Sequence, residues 1–503
     1  MKSRNTITGN PAGSSFRAVY DVTEFLEEHP GGVTVILQHA GKVATAVYEA
    51  LHPPGTIDQL SKDKHLGRVE PPDKEPRKVE EKPTPVAEAT PTPQKTQIAH
   101  LRTLQNLTDF EPIAQQTLTP QAWAYYSTAA EDLHSYNRNL ADWSKITFRP
   151  RVLRDVAGVS LRRTIMGHAS SLPIFISPTA MARLGHPDGE LCLARAAARH
   201  NIVYAISSYS SVSHADVAAC HVQGKELLNS NNPPLRFGTG SLAFQLYLPL
   251  KKEQGGRALI AKAKSLGYRA LIITVDTPVI GRREADDRVR AEREANLADS
   301  ATTSWSAQTP TEPGTANPVL RGAHSSTLHW DDLTWIKDAW GEGSGPIILK
   351  GIQTAEDALR ASMIAGVQAI YLSNHGGRQL DHAPSSISTL LEIRKFYPQV
   401  LDKVEVYLDG GVRRGTDVLK ALCLGARGVG LGRPFLYALS GYGTEGVVRA
   451  VQMLSDEIET AMRLLGVVDL AELDPSLVNT AVLERDLVGK WNVDTKRRSD
   501  VKL

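Results

Sequence analysis

The chain is poor in cysteine, in aromatic residues and in long apolar runs, and it carries almost no net charge. Three cysteines (Cys192, Cys220, Cys423) in 503 residues are odd in number and widely spaced. They make no disulfide framework and no metal-ligand spacing, and they read as reduced thiols. No stretch approaches the ~18 apolar residues of a membrane-spanning helix. A net charge of +2 leaves no electrostatic footprint for nucleic acid. The N-terminus has Lys2, Arg4 and Arg17 before its first acid, Asp21. That composition faintly matches a mitochondrial presequence, without an amphipathic face or an apolar sorting segment.

Length and composition divide the chain. Residues 71–97 hold seven prolines among Lys, Glu and Thr, without apolar periodicity. Such a stretch cannot bury a core and reads as a linker. The expected division is an irregular segment 1–18, a small domain 19–70, a linker 71–105, a large domain 106–485 and a tail 486–503. A second polar stretch, 282–327, reads as a long functional loop or a disordered segment, and the mixed charges at its start, Arg282 to Glu294, read as a solvated helix turn or two.

Eight apolar runs recur between residues 172 and 435: 172–180, 202–208, 242–248, 270–278, 346–352, 369–377, 405–411 and 428–435. Helical patterns such as 188–200 and 354–365 separate them. Strands buried on both faces and alternating with helices predict a parallel (β/α)8 TIM barrel of the α/β class. Each run turns polar or glycine-rich toward its C-terminal end, where this fold places its active site.

The densest of these ends is Ser373-Asn-His-Gly-Gly-Arg-Gln-Leu-Asp381. His375 can move a proton near neutral pH. Arg378 can hold a carboxylate through two parallel hydrogen bonds. Asp276, ending the fourth run, can orient the imidazole and stabilise its protonated form. Arg283 is a second anion-binding candidate, or else a surface ion pair beside Arg282 and Glu284. Lys350 ends an apolar run, and a buried lysine needs negative charge beside it. Asp409-Gly-Gly-Val-Arg413 and the later Gly432-Arg433 follow runs seven and eight, the usual phosphate position of a barrel enzyme. Upstream, His29 in His-Pro-Gly-Gly and His52 could ligate a haem iron from both sides, or His-Pro-Gly-Gly is only a helix-ending turn.

Seven motifs carry a resemblance: WAYYS (123–127), FQLY (244–247), TVDTP (274–278), ILKG (348–351), SNHGGRQLD (373–381), the segment 409–438 and MRLLG (462–466). With them, residues from about 106 to 485 resemble the FMN-dependent α-hydroxy-acid dehydrogenase/oxidase family. The segment around His29 and His52 resembles a cytochrome b5-like haem module. Only Met1 to Ala18 precede its Val-Tyr-Asp-Val-Thr segment, without a strand pattern, so that module is expected to be partial.

The resemblance implies a catalytic group of His375, Asp276 and Tyr247, with Tyr125, Tyr247, Arg378 and Arg283 at the substrate. It implies FMN contacts from Ser177, Pro178, Thr179 and Ala180, from Ser207, Gln245, Thr274 and Lys350, and from Asp409, Gly410, Gly411, Val412, Arg413, Gly432 and Arg433. Tyr209 falls where the family sets substrate selectivity. The implied reaction oxidises an (S)-2-hydroxy acid, L-lactate first, to the 2-oxo acid. Electrons would then pass to haem b, held by His29 and His52, and to cytochrome c. With a partial haem module, oxygen is the alternative acceptor. The resemblance further implies a homotetramer in the mitochondrial intermembrane space, with the cytoplasm as the alternative.

Overall fold

In the computed structural model, eight short strands pair side by side until the last meets the first. The structure describes residues 6–9, 17–23, 64–69, 98–231, 241–289, 291–292 and 325–487, with the single residues 36, 44 and 48. His29 and His52 lie outside the described residues, as do residues 293–324 of the expected loop.

Near the N-terminus, strands β1 (Thr6–Gly9), β2 (Arg17–Asp21) and β3 (His65–Val69) form an antiparallel sheet in the order β1-β2-β3. This corrects the expectation of an irregular first segment. Thr6 pairs with Asp21 and Gly9 with Ala18, so backbone pairing supplies order that the side-chain pattern of Thr6–Gly9 does not announce.

Two minor strand pairs frame the large domain. They are β4 (Thr147–Phe148) with β15 (Val478–Asn479), and β5 (Arg163–Ile165) with β6 (His168–Ser170). The barrel itself comprises β7 (Ile174–Ile176), β8 (Val203–Ile206), β9 (Leu242–Leu246), β10 (Ala270–Thr274), β11 (Ile347–Ile352), β12 (Val367–Leu372), β13 (Glu405–Leu408) and β14 (Gly428–Leu431). All eight neighbouring pairs are parallel and the sheet is closed. Each predicted run contains, or nearly contains, one of these strands.

The barrel interior is a packed core. Phe175, Tyr371 and Tyr407 interlock with the small side chains of Ala205, Ala243, Ala270 and Ala369. Ile165 and Met166, at the turn between β5 and β6, belong to the same cluster and seal its lower end. The Met166 N–H donates to the Tyr407 hydroxyl at 2.6 Å, so the plug carries no orphaned donor. Burying each of these large apolar side chains contributes roughly 1.5–3 kcal/mol.

Helices coat the outside with apolar stripes. In Ala355–Ser362, Ala355, Ala358 and Ala361 recur every third residue and are buried, and the Thr354 side chain caps the start by accepting from Asp357 N–H. Helix Glu190–His200 buries Cys192, Leu193, Ala196 and Ala197 and ends at Asn201 in the left-handed conformation. This closed frame fixes eight strand ends at one rim, and the functional side chains project from that rim.

Candidate active site

A carboxylate–imidazole pair, with the Asp276 side chain fully buried and His375 partly so, defines the centre of the rim. Asp276 follows β10 and His375 follows β12. The imidazole Nδ1 lies 2.9 Å from an Asp276 carboxylate oxygen. The Thr277 hydroxyl donates to the same oxygen at 2.7 Å. The other carboxylate oxygen faces Lys350 Nζ at 3.8 Å. Burial alone would raise the Asp276 carboxyl. The neighbouring His375 imidazole, the Lys350 ammonium and the two hydrogen bonds outweigh it and hold the group well below the usual carboxylate range. Asp276 therefore accepts only, and His375 carries its proton on Nδ1.

That tautomer leaves Nε2 with its lone pair. Tyr247, just past β9, places its hydroxyl 3.2 Å from Nε2. Burial, then the Asp276 charge, push the Tyr247 phenol up, so it keeps its proton and donates. For His375, burial dominates and lowers its pKa, the Asp276 carboxylate opposes it, and Lys350 adds to the lowering. The result is a neutral imidazole at physiological pH whose basic Nε2 meets the Tyr247 hydroxyl at the rim.

The backbone at this point is strained. His375 has φ +58°, and Gly376 and Gly377 follow at +64° and +77°. A non-glycine residue in this region costs roughly 1–2 kcal/mol. Close packing explains the second glycine, because a Cβ on Gly377 would lie 2.7 Å from the Tyr136 nitrogen.

Arginines surround the imidazole. Arg378 donates to the carbonyls of Tyr125 at 2.6 Å and Thr128 at 3.0 Å, and its guanidinium sits 4.9 Å from the Tyr125 ring centre. Burial and then the facing Arg283 charge push its pKa down to about 9, so it remains charged at neutral pH. Its hydrogen bonds reach carbonyls and no carboxylate, which leaves the charge available to an anion. Arg283 Nε is buried without a hydrogen-bond partner. Desolvated cations of this kind mark an anion site. Arg433 is committed differently. It bonds the carbonyls of Tyr126, Gly376 and Thr128 at 2.7–3.0 Å and lies over the Tyr136 ring.

The remaining predicted residues line the same rim. Gln245 connects Ser207 to Thr274: Ser207 Oγ donates to Gln245 Oε1 at 3.2 Å, and Gln245 Nε2 donates to Thr274 Oγ1 at 2.9 Å. Ser177 pairs with the Tyr371 hydroxyl at 2.8 Å. Pro178, Thr179 and Ala180 follow it above β7, and the Thr179 hydroxyl is buried without a partner. The Asp409 carboxylate accepts from Tyr371 and Ser373 at 2.8 and 2.7 Å, which makes it a brace for the rim. Gly410 and Gly411, at φ +100° and +74°, begin the loop after β13 that Val412 and Arg413 continue. Gly432 and Arg433 open the long helix Arg433–Leu465 after β14. Tyr209 stacks on Tyr247 at 5.3 Å and is 40% exposed.

These residues fit a flat, phosphorylated cofactor such as FMN. A buried orphan hydroxyl at Thr179, a line of amide and hydroxyl groups through Gln245, a buried lysine and two glycine-bearing strand ends all meet at one rim. Thr277, Tyr371, Asn139 and Gln379 are rim residues that the sequence does not single out, while Ser373 and Asn374, already part of the polar end of the sixth run, gain defined partners. Gln379 Nε2 donates to the carbonyls of Asp276 and Val279 at 3.0 and 2.8 Å and so ties the loop after β12 to the loop after β10. Thr277 and Gln379 sit inside quoted motifs, and that position was the available signal. Asn139 gave none.

Residues 114–480 match the family model described as FMN-dependent dehydrogenase. The chain belongs to that family. It is therefore a flavin-dependent oxidoreductase with FMN as its cofactor. Residues 15–70 match a second model, the cytochrome b5-like heme/steroid binding domain. Within the family, the chain is 39% identical over 467 residues to an L-lactate dehydrogenase (cytochrome) of Wickerhamomyces anomalus, covering 92% of this chain and 76% of that protein. It is 40% identical to the 2-hydroxyacid oxidase 2 of Rattus norvegicus, covering 74% of this chain and 97% of that one. The solved flavin-binding domain of baker's yeast flavocytochrome b2 superposes with a TM-score of 0.65 at 37% identity, covering 80% of this chain and 93% of that one. Among the described residues, no helix is long and apolar enough to cross a membrane.

Proposed function

We propose that this protein oxidises a small (S)-2-hydroxy acid, L-lactate foremost, to the 2-oxo acid. The carrying observation is the buried His375–Asp276 pair beside Arg378, a base and an anion clamp on one turn. Arg378 holds the substrate carboxylate, with Arg283 adding charge and the Tyr125 ring backing the guanidinium. Tyr247 donates to the substrate oxygen and orients it toward His375 Nε2. His375 takes a proton there, and Asp276 stabilises the imidazolium that forms. Of the two hydrogens the substrate loses, His375 takes one as a proton; bound FMN would supply the acceptor for the two electrons and the second hydrogen. Ser177, Pro178, Thr179, Ala180, Ser207, Gln245, Thr274 and Lys350 would hold its ring system. Asp409 to Arg413, with Gly432 and Arg433, would hold its ribityl and phosphate. Lys350 supplies fixed positive charge on the side where negative charge collects.

The cytochrome b5-like match supports a haem b relay to cytochrome c, with His29 and His52 as the proposed iron ligands. Among relatives of similar identity is an oxidase, so the acceptor is the question to test. Reconstitution with FMN and haem, followed by a hydroxy-acid panel with cytochrome c or oxygen as acceptor, decides it. Cytochrome c reduction with L-lactate supports the relay. Peroxide formation without cytochrome c reduction assigns the oxidase reaction instead. A homotetramer in the mitochondrial intermembrane space is proposed on family resemblance alone.

A further inference from the structure

Asn139 and Asn374 are 2% and 1% exposed and 235 positions apart, and they face each other as a closed amide pair. Asn139 Nδ2 donates to Asn374 Oδ1 at 2.8 Å, and Asn374 Nδ2 donates to Asn139 Oδ1 at 2.9 Å. Backbone partners fix which way each amide points. The Gly377 N–H donates to Asn374 Oδ1 at 3.1 Å, and Asn374 Nδ2 donates to the Pro384 carbonyl at 3.0 Å. Both lone pairs and both protons of the Asn374 amide are thereby used, so neither amide can flip without orphaning a buried group.

Asn374 immediately precedes His375. Its bond to Gly377 closes the strained left-handed turn that aims the imidazole. Asn139 lies on the helix His134–Ala141 and also supports the loop after β13. A Cβ on Gly410 would lie 3.2 Å from the Asn139 amide carbon, and one on Gly411 would overlap the Asn139 backbone carbonyl oxygen. One buried side chain and its own carbonyl therefore contact both the turn bearing the base and the glycine loop.

We propose that Asn139 is a positioning residue that sets the His375 turn and the Gly410–Gly411 loop in register through its amide pair with Asn374. The proposal rests on the reading of His375 as the base and of the glycine loop as part of the FMN site. Arg378 follows on the same turn, but its guanidinium is also anchored on the Tyr125 and Thr128 carbonyls, so carboxylate binding should suffer less than placement of the imidazole.

Two variants test it in the FMN-loaded full chain. Asn139→Ala should lower kcat about 10- to 100-fold, as expected for a misplaced catalytic group. It should leave KM within about 3-fold, and weaken FMN binding about 10-fold or more by fluorescence titration of the apoprotein. Asn139→Asp gives a signature that general loosening cannot. A protonated carboxyl can still donate to Asn374 Oδ1 and accept from its Nδ2, whereas the ionised form sets two acceptors against each other. Its kcat should therefore recover toward the parent value as pH falls to the acid side, against the parent's own acid-limb loss. Wild-type kcat and FMN affinity in Asn139→Ala would overturn the proposal. So would a parent-shaped pH profile in Asn139→Asp, or a kcat loss that vanishes once expressed per FMN-loaded site. Failure of the base assignment would show separately, as retained turnover in His375→Gln.

Discussion

His375 and Asp276 are joined by a 2.9 Å contact between Nδ1 and a carboxylate oxygen, on two loops that follow different barrel strands. The Asp276 side chain is fully buried, so its charge acts through a low-dielectric interior with little solvent screening. The pair fixes the imidazole tautomer and would support the charge the ring gains in the proposed proton transfer.

The pH profile follows from the direction of the His375 shift. Burial holds its pKa below the ordinary histidine value, so the base is neutral through the physiological range. The kcat/KM value should be flat there and fall as pH drops through the lowered pKa. In Asp276→Asn, the carboxylate that favours the imidazolium is gone. The acid limb should move to still lower pH while kcat falls about 10²- to 10⁴-fold. Stopped-flow rates across a pH series check both, and an acid limb displaced upward in the variant would contradict the electrostatic assignment.

Acid stability carries a second consequence. Asp276 is depressed in the folded state, so its contribution is present above the ordinary carboxylate pKa near 3.9 and is lost as pH falls through the lower folded value. The Tm of the parent should drop across that acid window. The drop should be shallower in Asp276→Asn, as thermal melts at stepped pH will show.

Arg378→Lys keeps the charge and removes the planar fork. The ammonium cannot reproduce the carbonyl bonds to Tyr125 and Thr128 together with a two-pronged grip on a carboxylate. A loss of about 10- to 100-fold in kcat/KM, carried mainly by KM, is expected from the value of charged hydrogen bonds. Steady-state kinetics with L-lactate measure it, and an unchanged KM would remove Arg378 from the clamp.

Lys350→Met removes the cation 3.8 Å from Asp276 and beside the proposed flavin ring. His375 and Thr277 still support the carboxylate, so the stability cost should be modest, about 1–3 kcal/mol. The two-electron potential of the bound FMN should fall by about 30 mV or more, a tenfold change in equilibrium. Redox titration reads that shift, and a potential that rises or stays fixed would contradict the role given to Lys350.

Much of this was legible in the sequence because barrel strands are buried on both faces. Runs such as Ala270–Thr274 stay apolar until the rim, and the switch to Asp276 or His375 is then conspicuous. What the sequence hides is pairing between distant polar residues. Asn139 lies in an ordinary polar helix, and only the fold brings it to Asn374. Arg433 reads as a phosphate ligand, yet its donors also brace three backbone carbonyls. Strand β1 was invisible for a related reason: a four-residue strand is specified by its partner's backbone, not by its own alternation.

The most direct measurement is anaerobic mixing of L-lactate with the FMN-loaded protein and with His375→Gln, following the visible flavin band. The parent should bleach rapidly. The variant should retain its FMN and bleach slower by about 10² to 10⁴, the contribution of a positioned base. Bleaching at the parent rate in His375→Gln would contradict the assignment of His375, and a parent that does not bleach with any 2-hydroxy acid would contradict the reaction itself.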